Sequence, residues 1–134
     1  MEVDHIGYVV LDMNTAVKKF TDIYGFILKD DIIYDPQQHV HLGMLSSSNG
    51  YQVELIQPID KKSPSYDFML KGGGFHHFCY KVENIDDSIN RLKNSGHLLI
   101  TRPVAAPLLD KRHVAFLFSK ADKQIIELVE TKER

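Results

Sequence analysis

The chain of 134 residues holds a single cysteine, Cys79. No disulfide can form within it, and any metal site has to be built from His, Asp, Glu or Gln. An excess of either charge is also lacking. The formal net charge of −2 gives no electrostatic case for nucleic acid or an acidic membrane as a partner. Long apolar runs are missing too, since no stretch approaches the roughly eighteen residues of a membrane span. The opening MEVDHIGYVVLDM has no basic region followed by an apolar run, which predicts a cytoplasmic protein. What is present is ordinary: 43% hydrophobic and 25% charged residues, and a length that suits one domain with a real core. Seven histidines supply ample nitrogen ligands.

The chain repeats itself. DHIGYVVLDMNTAVKKF, from Asp4 to Phe20, aligns with HHFCYKVENIDDSINRL, from His76 to Leu92, at a constant offset of 72. Each copy opens on a run rich in β-branched and aromatic residues, a strand, with Asp12 or Asn84 placed to cap a helix. Met13, Ala16, Val17, Phe20, Ile23 and Tyr24 then form an amphipathic stripe, and Ile85, Ile89 and Leu92 repeat it more briefly. Gly25 and Gly96 stand where helix C-caps belong. Three strand-like runs follow each helix: FILKDDIIY, HVHLGML and YQVELIQ in the first half, HLLITR, HVAFLF and KQIIELVE in the second. HVHLGML and HVAFLF align at an offset of 74. Between the halves, KKSPSYDFMLKGGG predicts a helix capped by Ser63, with Pro64 in its first turn and the glycines at its end. The predicted fold is α+β. Two βαβββ repeats, about 1–58 and 74–134, join through a helical linker at 59–73 into one domain, their sheets curling into a half-closed, barrel-like concave site with the helices outside.

Strand alternation selects the side chains facing that concavity. Ile6, Tyr8 and Val10 are bulky and belong to the helix side, which leaves His5 on the other. The same parity groups His77 with Cys79 and Lys81, and turns His76 the opposite way, to a structural role. Glu54 sits between Val53 and Leu55, and Glu127 between Ile126 and Leu128, at equivalent points of the last strand of each repeat. A carboxylate among aliphatic neighbours is costly to bury without a cation or donors. A lone strand histidine is more often satisfied locally than bound to metal. Four such residues at matched repeat positions point instead to a divalent-metal site made of His5, Glu54, His77 and Glu127. His39, His41, His97 and His113 lack that support as ligands. The triple glycine lacks the Lys and Ser/Thr that a phosphate loop would place after it, and helix termination explains it better.

These residues resemble the vicinal oxygen chelate superfamily, which includes glyoxalase I, methylmalonyl-CoA epimerases, extradiol dioxygenases and bleomycin-resistance proteins. The carriers are DHIGYVVLD, VELIQP, GGGFHHFCYKVENID, VAFLF and IELVE, in that order along nearly the whole chain. The resemblance places the family's ligands on the same His5, Glu54, His77 and Glu127. It implies a divalent ion (Zn, Ni, Co or Mn), a homodimer and a small-molecule substrate, either a thioester or a glutathione adduct. The segment PIDKKSPSYDFMLKGGGFHHFCYKV is similar to the epimerase branch. Epimerases can carry a second carboxylate on the third strand, and QHVHLGML has none, so His41 or Glu54 takes that role. The His/Glu/His/Glu set is equally that of bacterial glyoxalase I, which keeps lactoylglutathione lyase as the alternative.

Both readings imply an isomerase that removes a proton next to a carbonyl, with Glu127 as the base and Glu54 or His41 returning the proton. Lys81 and Arg112, with Lys111 and Arg102, are the candidates for the anionic tail of the substrate. A non-catalytic small-molecule binding or resistance protein needs no complete ligand set, and the intact four residues count against it. An extradiol dioxygenase would prefer two histidines and one carboxylate.

Overall fold

The structure is a computed structural model that describes residues 1–131. The chain divides into two compact units: His5–His76, and Met1–Asp4 together with His77 onward. Both are mixtures of strands and helices, as the α+β expectation requires.

The first unit takes β1 (Glu2–Val9) from His5 on, then α1 (Met13–Asp22), β2 (Ile27–Leu28), β3 (Ile33–Asp35), β4 (Val40–Ser46), β5 (Gln52–Pro58) and α2 (Tyr66–Leu70). β1 runs parallel to β5 with Gly7 opposite Glu54, and β4 runs antiparallel to β5 with Met44 opposite Glu54. The helix side of this sheet holds the core. Val10, Met13, Phe20, Leu45, Val53 and Leu55 are buried there, with Tyr8, Ala16, Val17 and Phe26 packed on them. Phe20 is the centre, its ring meeting those of Tyr8, Tyr24 and Phe26 edge-on at 5.6, 5.4 and 5.3 Å.

Asp12 caps α1 as expected, accepting from the Thr15 amide at 2.9 Å and from the Thr15 hydroxyl at 2.6 Å. Those bonds, the hydroxyl first, hold its carboxyl below the usual carboxylate range. The other end departs from the stripe. α1 stops at Asp22, and Ile23 and Tyr24 are exposed rather than buried. Gly25 follows at φ +73°, a left-handed backbone that carries the chain off the helix axis before the periodicity runs out.

α2 also starts later than Ser63 and Pro64 suggest. Its N-cap is Ser65, because the Ser63 hydroxyl pairs with that of Ser65 at 3.2 Å and the Ser63 carbonyl accepts from Tyr66 in a preceding turn. The glycines end α2 as expected. Gly73 has no room for a side chain, since a Cβ would lie 2.6 Å from the Val9 carbonyl oxygen.

The second unit contains the rest of β6 (Gly74–Val82), α3 (Ile85–Asn94), β7 (His97–Leu99), β8 (Val104–Ala105), a 3-10 turn at Pro107–Leu109, β9 (His113–Ser119) and β10 (Gln124–Glu130). β6 runs parallel to β10, and β10 antiparallel to β9 with Glu127 opposite Phe116. Val82, Ile85, Ile89, Ala115, Leu117 and Leu128 are buried together beneath α3, which Asn84 caps through the Asp87 amide at 3.0 Å.

In the first unit FILKDDIIY breaks into two short strands, while in the second HLLITR shortens to β7 and a further short strand, β8, lies beyond it. β2 and β3 both pair with β4, while β7 and β8 both pair with β9. The registers also correct the alignment of the third strands. Met44 faces Glu54 as Phe116 faces Glu127, so His41 rather than His39 is the counterpart of His113. Among the described residues, no helix is long and apolar enough to cross a membrane.

Candidate metal centre

Each unit presents one buried imidazole–carboxylate pair on the sheet face turned away from its helix. In the first unit, Tyr8, Leu45, Val53 and Leu55 occupy the helix side. Alternation then puts His5, Gly7, Glu54 and Met44 on the opposite face. His5 and Glu54 are 1% and 7% exposed, with Nε2 and Oε1 3.8 Å apart. In the second unit, Tyr80, Ile126 and Leu128 belong to the helix side. His77, Cys79, Lys81, Glu127 and Phe116 take the other. His77 and Glu127 are 1% and 4% exposed, and their Nε2 and Oε1 lie 3.1 Å apart. Phe116 sets its edge against the imidazole of His77 at a ring separation of 5.4 Å.

These pairs suit a divalent ion. Two donors bound at about 2.1 Å sit roughly 3.0 to 3.4 Å apart in octahedral or tetrahedral geometry. The 3.1 Å separation falls within that range, and the 3.8 Å separation lies above it. The His77–Glu127 pair also meets hydrogen-bond geometry, whereas 3.8 Å is too long for a hydrogen bond between His5 and Glu54. Imidazole nitrogen and carboxylate oxygen, with no thiolate required, fit the borderline ions of Zn, Co and Ni, and the carboxylates also suit the harder Mn.

Other expected site residues lie elsewhere. His41 shares its face with Gly43 and Leu45, where a Cβ on Gly43 would meet Ile32 and Met13. It therefore points to the helix side, its ring 5.9 Å from that of Tyr34, and not to the face of Glu54. The reason is register: His41 stands opposite Gln57, three residues beyond Glu54 and so on the other face. Arg112 is engaged locally, its Nη2 3.6 Å from Asp4 Oδ1 and its Nε donating to the Leu109 carbonyl at 3.0 Å. Lys81 is half-buried on the His77 face, and Arg102 and Lys111 are exposed. His76 turns away from the His77 face and packs its ring edge-on against Phe68 at 4.9 Å, the structural role expected of it.

Two features escaped sequence reasoning. Gln57 Oε1 accepts from the Met13 amide at 2.6 Å, and Glu130 Oε1 accepts from the Ile85 amide at 3.1 Å. Each lies three residues after the candidate glutamate of its strand and ties that strand to the first turn of its unit's helix. Their equivalence in the repeat was the available signal. The other feature is Tyr34–His39–Asp60, where His39 Nδ1 is 3.0 Å from the Tyr34 hydroxyl and Nε2 is 3.1 Å from Asp60 Oδ2. The Lys62 amide, the largest effect, holds the Asp60 carboxyl below the usual range; desolvation, the next largest, opposes it, and the His39 bond and charge add smaller lowering effects.

Residues 4–116 match the sequence profile of the Glyoxalase/Bleomycin resistance protein/Dioxygenase superfamily. The chain is 28% identical over 95 residues to the ethylmalonyl-CoA/methylmalonyl-CoA epimerase of Cereibacter sphaeroides, a match covering 69% of each. Against mammalian mitochondrial methylmalonyl-CoA epimerases it spans about half of their length, at 51%. Among solved structures, a hypothetical protein from Bacillus halodurans superposes with TM-score 0.86 and 28% identity, over 99% of this chain and 96% of the other. Methylmalonyl-CoA epimerase from Mycobacterium tuberculosis gives 0.85 and 26%, over 97% and 87%. With the profile matched across most of its length, this chain belongs to the glyoxalase/bleomycin resistance protein/dioxygenase superfamily.

Proposed function

We propose that the chain is a divalent-metal-dependent epimerase acting on an acyl-CoA thioester, with methylmalonyl-CoA as the first substrate to test. The observation that carries this reading is the pair of buried His–Glu couples at equivalent places in the two repeats. The relatedness to epimerases of CoA thioesters supports the substrate class. In this reading His5, Glu54, His77 and Glu127 hold one ion within a single vicinal-oxygen-chelate domain.

A carbon-bound proton beside a carbonyl is too weakly acidic for a carboxylate to remove unaided. The ion would supply charge stabilisation at the carbonyl oxygen as the enolate forms. The residues do the rest. His5 and His77, in their neutral form, offer Nε2 as ligand atoms. Glu127 takes the proton from carbon, and Glu54 returns one to the other side of the same carbon. The Phe116 ring, against His77 and opposite Glu127, keeps water from the base and presents an apolar wall to the substituent on the reacting carbon. Lys81 meets the anionic tail of the substrate. Arg112 is left out of that role because its guanidinium is already engaged, and His41 out of proton return because it faces the helix. The chain works in the cytoplasm as a homodimer in this account.

One observation favours a second reading. Met44, not a carboxylate, stands opposite Glu54 on the third strand, so the two glutamates must serve as both ligands and bases. That is the arrangement the resemblance assigns to lactoylglutathione lyase. A paired assay decides between them: racemisation of methylmalonyl-CoA beside conversion of the methylglyoxal–glutathione hemithioacetal, each with and without chelator. Epimerisation that chelator abolishes supports the first reading. Turnover of the hemithioacetal alone replaces it with the second, and activity on neither in a metal-loaded protein leaves a binding protein.

A further inference from the structure

We propose that Tyr34, His39 and Asp60 form an acyl-acceptor site, in which the Tyr34 hydroxyl takes the acyl group of a reactive ester with His39 as its base. None of the three is a proposed metal ligand, and all lie in the unit His5–His76.

Asp60 follows β5 and accepts at Oδ1 from the Lys62 amide at 2.9 Å. That bond, the largest effect on it, holds the carboxyl below its ordinary value, so at neutral pH Asp60 is ionised and only accepts. Its Oδ2 is 3.1 Å from His39 Nε2. Nε2 therefore carries the imidazole proton, and in the neutral ring Nδ1 keeps its lone pair. The Tyr34 hydroxyl lies 3.0 Å from Nδ1 and donates to it. Carboxylate, imidazole and hydroxyl thus stand in line as orienter, base and nucleophile, the roles that define a nucleophilic triad on any fold.

The backbone holds these groups in place. Tyr34 pairs with His41 across β3 and β4, and its ring meets that of His39 edge-on at 5.9 Å. Asp35, 3% exposed, closes the turn between them by accepting from the Gln37 amide at 2.9 Å. His39 adopts φ +54°, a left-handed backbone that a non-glycine residue keeps only where its surroundings impose it. The Ile59 amide donates to the His39 carbonyl at 3.2 Å, which ties His39 to the chain beside Asp60. Tyr34 itself is 47% exposed, which leaves it open to a donor from solvent.

In the step, Tyr34 Oη attacks the acyl carbon as its proton passes to His39 Nδ1, and the imidazolium so formed faces the Asp60 carboxylate. A bond forms between Oη and the acyl carbon. The bond from that carbon to the ester's phenolate or alkoxide breaks, the leaving group keeps the electron pair, and the proton on His39 passes to it. At a surface site the leaving group rather than a pocket selects the donor, so the class is reactive esters and not amides.

The test exposes the full chain to p-nitrophenyl acetate and follows acetylation of each tyrosine by peptide mass mapping. Tyr51, 69% exposed, is the internal control for an accessible hydroxyl. Tyr34 should be acetylated at least about tenfold faster than Tyr51, a modest share of what a positioned base supplies. H39N removes the base and keeps a residue type that tolerates left-handed backbone, while D60N removes the charge that orients the base. Both should bring labelling of Tyr34 down toward the rate of Tyr51. Equal labelling of Tyr34 and Tyr51 in wild type, or undiminished labelling of Tyr34 in a folded H39N, overturns the proposal. Should H39N fail to fold by circular dichroism, D60N decides in its place, and undiminished labelling of Tyr34 there overturns the proposal equally.

Discussion

In the proposed function, Glu127 is where the chemistry concentrates at the scale of single residues. It lies within 3.1 Å of His77, is 4% exposed and faces Phe116 across the β10–β9 pair. Replacing it with Gln keeps an oxygen ligand and removes the base. Exchange of the substrate's α-proton with deuterated solvent, followed by NMR, should fall by about 10²- to 10⁴-fold in E127Q, while bound metal persists. Full exchange in a metal-loaded E127Q would remove Glu127 from the base role. Asp60 gives a prediction of another kind. Its folded carboxyl lies below the ordinary value, so its contribution to stability is present above that value and is lost as pH falls through the lower, folded one. The Tm difference between wild type and D60A should therefore be seen at pH 7 and should close below about pH 4. A gap that does not narrow at all as pH falls below that value would mean the carboxylate charge is not what holds the Tyr34–His39–Asp60 turn.

Elements show how much of the design was legible in the sequence. Alternation in β1 and β6 placed His5 and His77 away from the helix side, because flanking Ile6, Tyr8, Tyr80 and Val82 declare the apolar face. Asp12 and Asn84 were readable as caps for the same local reason. His41 was not readable, since HVHLGML is apolar on both sides and only its pairing with β5 sets the parity. Ser63 looked like a cap, but its hydroxyl went to Ser65. The clamps from Gln57 and Glu130 were hidden because they join residues 44 and 45 positions apart. E130A would leave the amide of Ile85 without that acceptor and should lower unfolding free energy by about 1 to 3 kcal/mol. N84A, which removes the local cap of the same helix, should lower it by about 1 kcal/mol. Urea unfolding followed by circular dichroism measures both, and an E130A as stable as wild type would show the clamp to be incidental.

For the whole molecule, the repeat is the reason a 134-residue chain with one cysteine can offer four buried candidate ligands, two in each unit. Each unit brings one imidazole and one carboxylate on its own strands, and the reading of the function needs both couples to serve one ion. A bound ion stabilises the folded state by mass action, roughly 2.7 kcal/mol at a hundredfold excess over Kd. Chelation should accordingly lower the Tm of wild type and leave H5A/H77A unmoved. The most direct test is the stoichiometry of Co(II) uptake by the stripped chain, compared across wild type, H5A and H77A. The account predicts one ion per chain, bound at a single site that both substitutions weaken at least about tenfold. Two ions per chain, one of them indifferent to the loss of His5, would contradict it.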